Sequence, residues 1–292
     1  MRIKIYFACE LLNLTAFPRC VPLGLPQILG NETMTPEIKA ELSDNGVLAV
    51  TISRPDKKNA LTNDMYAALA DAIAKANEDD EIRVLLFQAD GDMFSAGNDI
   101  SEFAAQAMGN GPEERNVFRF LRGLANATVP IVAAVQGKAV GVGTTMLLHC
   151  DYVLLSTDAQ LITPFVNLAL VPEAASSLLL PSCIGHVKAF EMFALGEPVS
   201  AESAVAWGIA NKVVAAAELR AEALRIAGKL ALKPAGSLTA MKQLMRDAEK
   251  LTARIDRESA IFAERLASDE AKEAFAAFAQ KRQPDFTKIV QK

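Results

Sequence analysis

Two glycine-containing turns and one glutamate carry the chemistry legible in this 292-residue sequence. The first turn is Met93-Phe94-Ser95-Ala96-Gly97-Asn98-Asp99-Ile100. The second is Gln136-Gly137-Lys138-Ala139-Val140-Gly141-Val142-Gly143-Thr144-Thr145, which runs into a helix. Each follows an apolar run of strand type. Glycine lets backbone approach a ligand closely, and a helix start presents unpaired N–H groups. Two such turns side by side would aim two amides at one oxygen, the arrangement of an oxyanion hole. Plain strand-to-helix turns share this composition, so the residues alone leave both readings open. The glutamate is Glu173, in Leu170-Val171-Pro172-Glu173-Ala174-Ala175-Ser176-Ser177. It reads either as a general acid/base or as a helix-start carboxylate favoured by the helix dipole.

The remaining candidates point to structure. His149 lies four residues after Thr145 and shares its helix face, which fits a core or supporting histidine. His186, after Gly185, fits the surface or a helix start. Ser176 and Ser177 have no His and Asp partners in a recognisable arrangement. Cys150 and Cys183 sit among apolar residues as inert core thiols.

The elements that must position these groups follow from periodicity. Val47–Ile52 reads as a strand, followed by the polar turn Ser53-Arg54-Pro55-Asp56. Leu61, Met65, Leu69 and Ile73 recur every fourth residue, a helix that Thr62 caps. Val84–Gln88 and Val129–Val135 read as buried strands, with a helix around Asn116–Asn126 between them. A helix is expected near Gly141–His149, then strands at Tyr152–Ser156 and Asn211–Val214. Glu218–Gln280, rich in Ala, Leu, Glu and Lys, is helical throughout. The expected organisation is an irregular or disordered extension over 1–33, an α/β core over 34–215 and a helical region over 216–292. The extension reads equally as upstream sequence translated from a wrongly chosen start.

Composition narrows the function classes. Half of the chain is apolar and 22% is charged, a globular profile with a sizeable core. The net charge of -5 opposes a broad nucleic-acid-binding face, so a phosphate-bearing ligand would need a local basic cluster. The four cysteines show no metal-ligand spacing, which suits free thiols in a reducing compartment. No apolar run reaches a membrane span, and the first 20 residues lack a clean signal-peptide or presequence pattern. A cytoplasmic location is expected.

The two turns, the Cys150-Asp151 that follows, and the early Arg54-Pro55 and Asn59-Ala60-Leu61 resemble the enoyl-CoA hydratase/isomerase (crotonase) family. The likeness runs from about Leu48 to Phe286 in the family's order and spacing. It implies a spiral of ββα turns with a helical, trimer-forming C-terminus, in a homotrimer or dimer of trimers. It also implies an acyl-CoA thioester ligand and no separate cofactor or metal, coenzyme A being part of the substrate. By position, the oxyanion donors would be the backbone N–H groups of Ala96 and Val142. Gly97, Asn98, Ile100 and Gly141 would surround the thioester, with Asp99 a structural hydrogen-bonding residue. Lys57 and Lys58, beside Ala60, match the part of the family that lines the CoA nucleotide. Phe278, Lys281 and Arg282 resemble the C-terminal segment that covers the CoA, often from a neighbouring subunit. Phe165, Phe103 and Met108 would line the acyl tunnel.

Family hydratases carry two glutamates, at positions held here by Thr145 and Phe165. Neither serves as a general base near neutral pH. Pro172-Glu173 with Ser176-Ser177, together with Gly97-Asn98-Asp99, is similar to the peroxisomal-type 3,2-enoyl-CoA isomerase branch, whose single catalytic glutamate sits at the position of Glu173. Among Val171, Phe165 and Leu168 such a carboxyl should hold its proton unusually tightly, so that it acts as a base first and an acid second. The resemblance therefore implies a 3-enoyl-CoA to trans-2-enoyl-CoA isomerase. The alternatives are a hydratase-like enzyme that relies on Glu173, or a CoA-thioester-binding protein without turnover.

Overall fold

The computed structural model describes residues 28–107, 111 and 114–289. Strands β1 (Ile28–Thr35), β2 (Ile38–Ser43) and β3 (Val47–Ile52) precede α1 (Asn63–Glu78), β4 (Val84–Ala89), α2 (Ile100–Ala107), α3 (Asn116–Asn126) and β5 (Ile131–Val135). Then come β6 (Lys138–Val140), the short α4 (Val142–Thr145), β7 (Tyr152–Ser156), β8 (Gln160–Ile162), α5 (Ser176–Ile184) and α6 (His186–Leu195). The chain ends with β9 (Val199–Ser200), α7 (Ala201–Ala206), β10 (Lys212–Val214), α8 (Leu219–Ala231), α9 (Ala235–Met245), α10 (Ala248–Leu266) and α11 (Asp269–Ala279).

The main sheet runs β1-β2-β3-β4-β5-β7-β10. Its first three strands pair antiparallel, and the rest pair parallel through helical crossovers. Successive side chains on a strand face opposite sides. Val50, Ile52, Leu85, Phe87, Ala133 and Val153 pack on one face against α1 and α3, where Phe120 meets Phe87 edge-on at 6.4 Å between ring centroids. Val47, Ala49, Leu86, Val132 and Leu154 pack on the other face against Leu219, Ala223 and Ala227 of α8. Burial on both faces explains why these strands read as continuous apolar runs. It also means that α8, expected in the C-terminal region, completes the core.

The α/β spiral core and the helical C-terminus agree with expectation, and Thr62 caps α1 by accepting the Met65 N–H. Two differences concern short or polar strands. Residues 28–33, expected to be irregular, form most of β1, an edge strand whose Ile-Leu-Gly-Asn-Glu-Thr sequence has no apolar alternation. The rest of the expected extension, residues 1–27, lies outside the described residues. A second sheet, β6-β8-β9, was not anticipated, because its strands of two or three residues are too short for a period.

Candidate active site

The first turn is braced by the segment before α1. The Arg54 guanidinium meets Asp99 at 2.7 Å and the Ala60 carbonyl at 3.0 Å. Asn59, buried and left-handed at φ 54°, donates through its amide to the carbonyls of Asp90 and Met93. The Leu61 N–H donates to Gly97, and the Asp99 N–H returns a bond to Leu61. Arg54 and Asn59 to Leu61 thus shape the turn, and Asp99 is bound into it, its carboxyl held below the usual range, despite partial burial, by Ser101 and Arg54. The second turn lies directly against the first, with the Val140 N–H bonded to Ser95 O at 2.9 Å. A Cβ on Gly97, at φ 86°, would sit 2.8 Å from the Val140 carbonyl oxygen, so the close approach requires glycine there. Gly141, at φ 57° and ψ -119°, turns the chain into α4.

The expected donor Ala96 is corrected by its hydrogen bonding. Its N–H donates to the Lys58 carbonyl at 2.9 Å and is not available to a ligand. Two residues on, the N–H of Asn98 has no partner among the described residues, and Asn98 lines the cavity described below. Val142 begins α4, where an N–H has no acceptor within the helix, and its amide is likewise unpaired among the described residues. The unpaired amides are thus that of Asn98 in the first turn, at the cavity, and that of Val142 where the second turn enters α4.

Glu173 is 8% exposed. Its Oε1 accepts the Thr145 hydroxyl at 2.5 Å, one turn along from the Val142 amide. Its Oε2 is buried with no partner among the described residues. Burial pushes its carboxyl up to about 8; the Thr145 hydrogen bond opposes the shift and the charge of Glu258 adds to it. The chain leaves Glu173 through Ala174 and Ala175, both left-handed, at φ 62° and 55°. Each costs roughly 1–2 kcal/mol for a residue with a Cβ, strain of the kind retained where geometry matters. His149 holds this turn through Nε2, 2.7 Å from the Ala174 carbonyl. Burial lowers its pKa to about 4, so the ring is neutral and supports the turn.

A cavity with an empty volume of about 790 Å³, counted to its open mouth, leads to Glu173. Leu61, Val117, Phe118, Leu121, Phe262 and Ala263 make it predominantly apolar. Tyr66 and Glu102, not singled out from the sequence, form its polar wall. The Tyr66 hydroxyl donates to Asn98 Oδ1 at 2.5 Å, and Glu102 Oε2 accepts the Asn63 N–H at 2.8 Å at the start of α1. A tyrosine inside the Ala- and Leu-rich α1 was the available signal. Burial raises the Tyr66 phenol well above its usual range, with Glu173 and Glu102 adding to the effect.

Other expected ligand contacts lie elsewhere. Phe165 lines no part of the cavity; it packs with Leu170, Leu266 and Phe193 in a satellite core, which corrects the tunnel assignment. Ile100 starts α2 at 36% exposure, and Met108 and the side chain of Phe103 lie outside the described residues. Lys57 and Lys58 are exposed on the short helix after Arg54, and Lys58 pairs with Asp92 at 2.8 Å. Phe278, near the end of α11, and Lys281, just after it, are exposed and do not line the cavity, while Arg282 grips Glu273 through both terminal nitrogens. Cys183, expected in the core, is exposed, and burial raises the Cys150 thiol to about 12. Among the described residues no cluster of His, Cys, Asp and Glu could hold a metal, and no helix is long and apolar enough to cross a membrane.

Comparisons with known proteins identify the family. The family model described as enoyl-CoA hydratase/isomerase matches residues 43–289. The 1,2-epoxyphenylacetyl-CoA isomerase of Escherichia coli K12 is 33% identical over 251 residues, covering 84% of this chain and 96% of that protein. Enoyl-CoA delta isomerase 2 of Rattus norvegicus is 32% identical over 246 residues, covering 82% of this chain and 63% of that protein. The solved enoyl-CoA hydratase/isomerase from Pseudoalteromonas atlantica T6c superposes with a TM-score of 0.81 at 44% identity, covering 86% and 99% of the two chains.

Proposed function

We infer the function from one premise: the chain belongs to the enoyl-CoA hydratase/isomerase family. On that premise it converts 3-enoyl-CoA to trans-2-enoyl-CoA with Glu173 as the single acid/base. The observation that carries this reading is the Glu173 carboxyl itself, buried at the end of an apolar cavity and bonded to Thr145 one turn from the Val142 amide. With the thioester oxygen between the N–H groups of Asn98 and Val142, C2 of the acyl chain comes within reach of Glu173. The carboxylate removes the C2 proton, and charge moves onto the thioester oxygen, where the two amides stabilise the dienolate. The protonated Glu173 then delivers the same proton to C4, the double bond settles between C2 and C3, and the base is restored. A pKa near 8 suits both halves, since one group must accept and then donate near neutrality.

Glu102 is the one feature that favours a hydratase-like second reading, as another carboxyl in the same cavity. One of its oxygens is already committed to the α1 amide, and Thr145 and Phe165 stand where the family's hydratase glutamates do. Exposed apolar residues on α9, Met241, Leu244 and Met245, support assembly as a homotrimer or dimer of trimers. In that assembly Phe278 and Lys281 reach the CoA of a neighbour, and Lys57 and Lys58 meet its nucleotide. The test offers 3-enoyl-CoA and 2-enoyl-CoA separately to the purified protein in deuterated water. Isomerisation with exchange at C2 supports the reading; water addition to 2-enoyl-CoA outpacing isomerisation overturns it.

A further inference from the structure

We propose that Glu258 of α10 is a positioning residue, which fixes from across the fold the left-handed turn that carries Glu173. The inference rests on Glu173 being the base. Glu258 is only 5% exposed, and a charged side chain is rarely buried without partners. Its partners are backbone. Oε2 accepts the Ala175 N–H at 2.6 Å and Oε1 the Ser177 N–H at 3.0 Å. Both belong to the start of α5, where the first N–H groups of a helix need an acceptor from elsewhere. Ala175 sits in the N-cap position with a side chain that cannot accept. A carboxylate 83 residues away in sequence takes over the role a local Ser or Asp ordinarily plays.

The turn is thereby held at several points. His149 binds the Ala174 carbonyl, Glu258 the next N–H groups, and the Ser176 N–H closes on the Glu173 carbonyl. The α10 helix also gives Ser259, Phe262 and Ala263 to the cavity wall, so Glu258 joins the base and the acyl pocket into one body. Burial pushes the Glu258 carboxyl above its usual range, against the Ser177 and Ala175 hydrogen bonds that favour its charged form. Its negative charge raises the proton affinity of Glu173. The other groups that bear on Glu173 are Tyr66 from α1, Glu102 from α2 acting through Tyr66, and neutral His149. Arg254, one turn before Glu258 on α10, donates to Ser177 Oγ at 3.3 Å and tempers the Glu258 charge.

The test uses the full-length protein with Glu258→Gln, which keeps the shape but leaves one oxygen for two amides and removes the charge. The expected result is a fall in kcat of roughly ten- to a hundredfold with KM nearly unchanged, as misplacement of a base predicts. The pH midpoint of kcat/KM should move towards acid by about one pH unit. Glu258→Asp, which keeps the carboxylate but draws it back from the two amides, should lower kcat with a smaller change in that midpoint, and covers the case in which Glu258→Gln fails to fold. The Glu173 carboxyl is followed in parallel by carbon-13 resonance, assigned with Glu173→Gln, which needs no substrate. A shifted Glu173 titration in a protein that never isomerises 3-enoyl-CoA would retire the isomerase reading and keep Glu258 as the positioning group. A folded Glu258→Gln protein with unchanged kcat, pH midpoint and Glu173 titration overturns the proposal, as does a Glu258→Asp protein with unchanged kcat.

Discussion

The turn from Pro172 to Ser177 and the segment from Phe278 to Asp285 make an instructive pair, because the sequence marks both as functional and the fold treats them in opposite ways. The first is buried and tied to distant elements by Thr145, His149 and Glu258, so its geometry is complete within one chain. The second is largely exposed, and its guanidinium, Arg282, is engaged with Glu273 of its own chain. A catalytic proton transfer tolerates little positional error, whereas binding a phosphate in water tolerates much.

The sharpest way to break this contrast is Glu173→Gln. Under the proposed function, loss of this acid/base should lower isomerisation by roughly 10²–10⁴-fold while CoA-thioester binding persists, measured by turnover and by calorimetry. The same variant should be more stable than wild type as pH rises. The Glu173 carboxyl titrates near 8 in the fold against a usual 4.5. Below that window both states hold the proton and the effect is absent. Across it, the unfolded chain releases a proton that the folded one retains, so wild type loses stability at about 1.4 kcal/mol per pH unit at most. Melting curves should therefore coincide near pH 4 and diverge up to pH 8. Parallel curves would show that Glu173 is not buried as described.

Gly97→Ala comes next in size. The added Cβ would meet the Val140 carbonyl oxygen at 2.8 Å, in a backbone conformation that alanine adopts poorly, and would push the two turns apart. The loss of one oxyanion donor's alignment should reduce kcat about 10²–10³-fold, with KM changing far less. Equal turnover would remove Asn98 and Val142 from the mechanism.

Thr145→Val tests the hydroxyl that links the two turns' helix to Glu173. Thr145 favours the charged carboxylate, so its removal should raise the midpoint of kcat/KM against pH above about 8. Activity at pH 7 should fall several-fold, roughly tenfold for each pH unit the midpoint moves, and recover in more alkaline buffer. A midpoint that moves to acid would reverse the assigned hydrogen bond.

Most of the scaffold was legible in the sequence because β3, β4, β5 and β7 are apolar on both faces and α1 and α3 keep the helical period. Glu173 was legible through its motif. Ala96 was mistaken for the donor because a glycine turn announces close backbone approach without saying which amide remains unpaired; that depended on Lys58, 38 residues away. Phe165 was misplaced since an aromatic next to Pro164 suits a tunnel or a satellite core equally, and only packing against Phe193 and Leu266 decides. Tyr66 showed only as a lone tyrosine in an Ala- and Leu-rich helix, and Glu102 and Glu258 gave no signal, because each acts through a partner on another element.

The smallest effects belong to the exposed segment, and they separate two roles that the sequence merged. Lys281 is exposed and would meet a phosphate of the ligand by charge under the proposed function, whereas Arg282 is occupied by Glu273, which also accepts the Asp285 N–H. Lys281→Ala should raise KM for the acyl-CoA a few-fold and leave kcat unchanged, because phosphate contacts bind the ground state and the transition state alike. The increase should fade as salt is added, since the Debye length shrinks from about 10 Å at 0.1 M to about 3 Å at 1 M. Arg282→Ala should instead loosen the segment after α11, seen as faster amide exchange from Gln280 to Asp285, and affect KM only through that disorder. Its effect on KM should then be nearly independent of salt. A salt-sensitive Arg282→Ala and a salt-insensitive Lys281→Ala would exchange the two assignments, placing the guanidinium on the phosphate and the lysine in the frame.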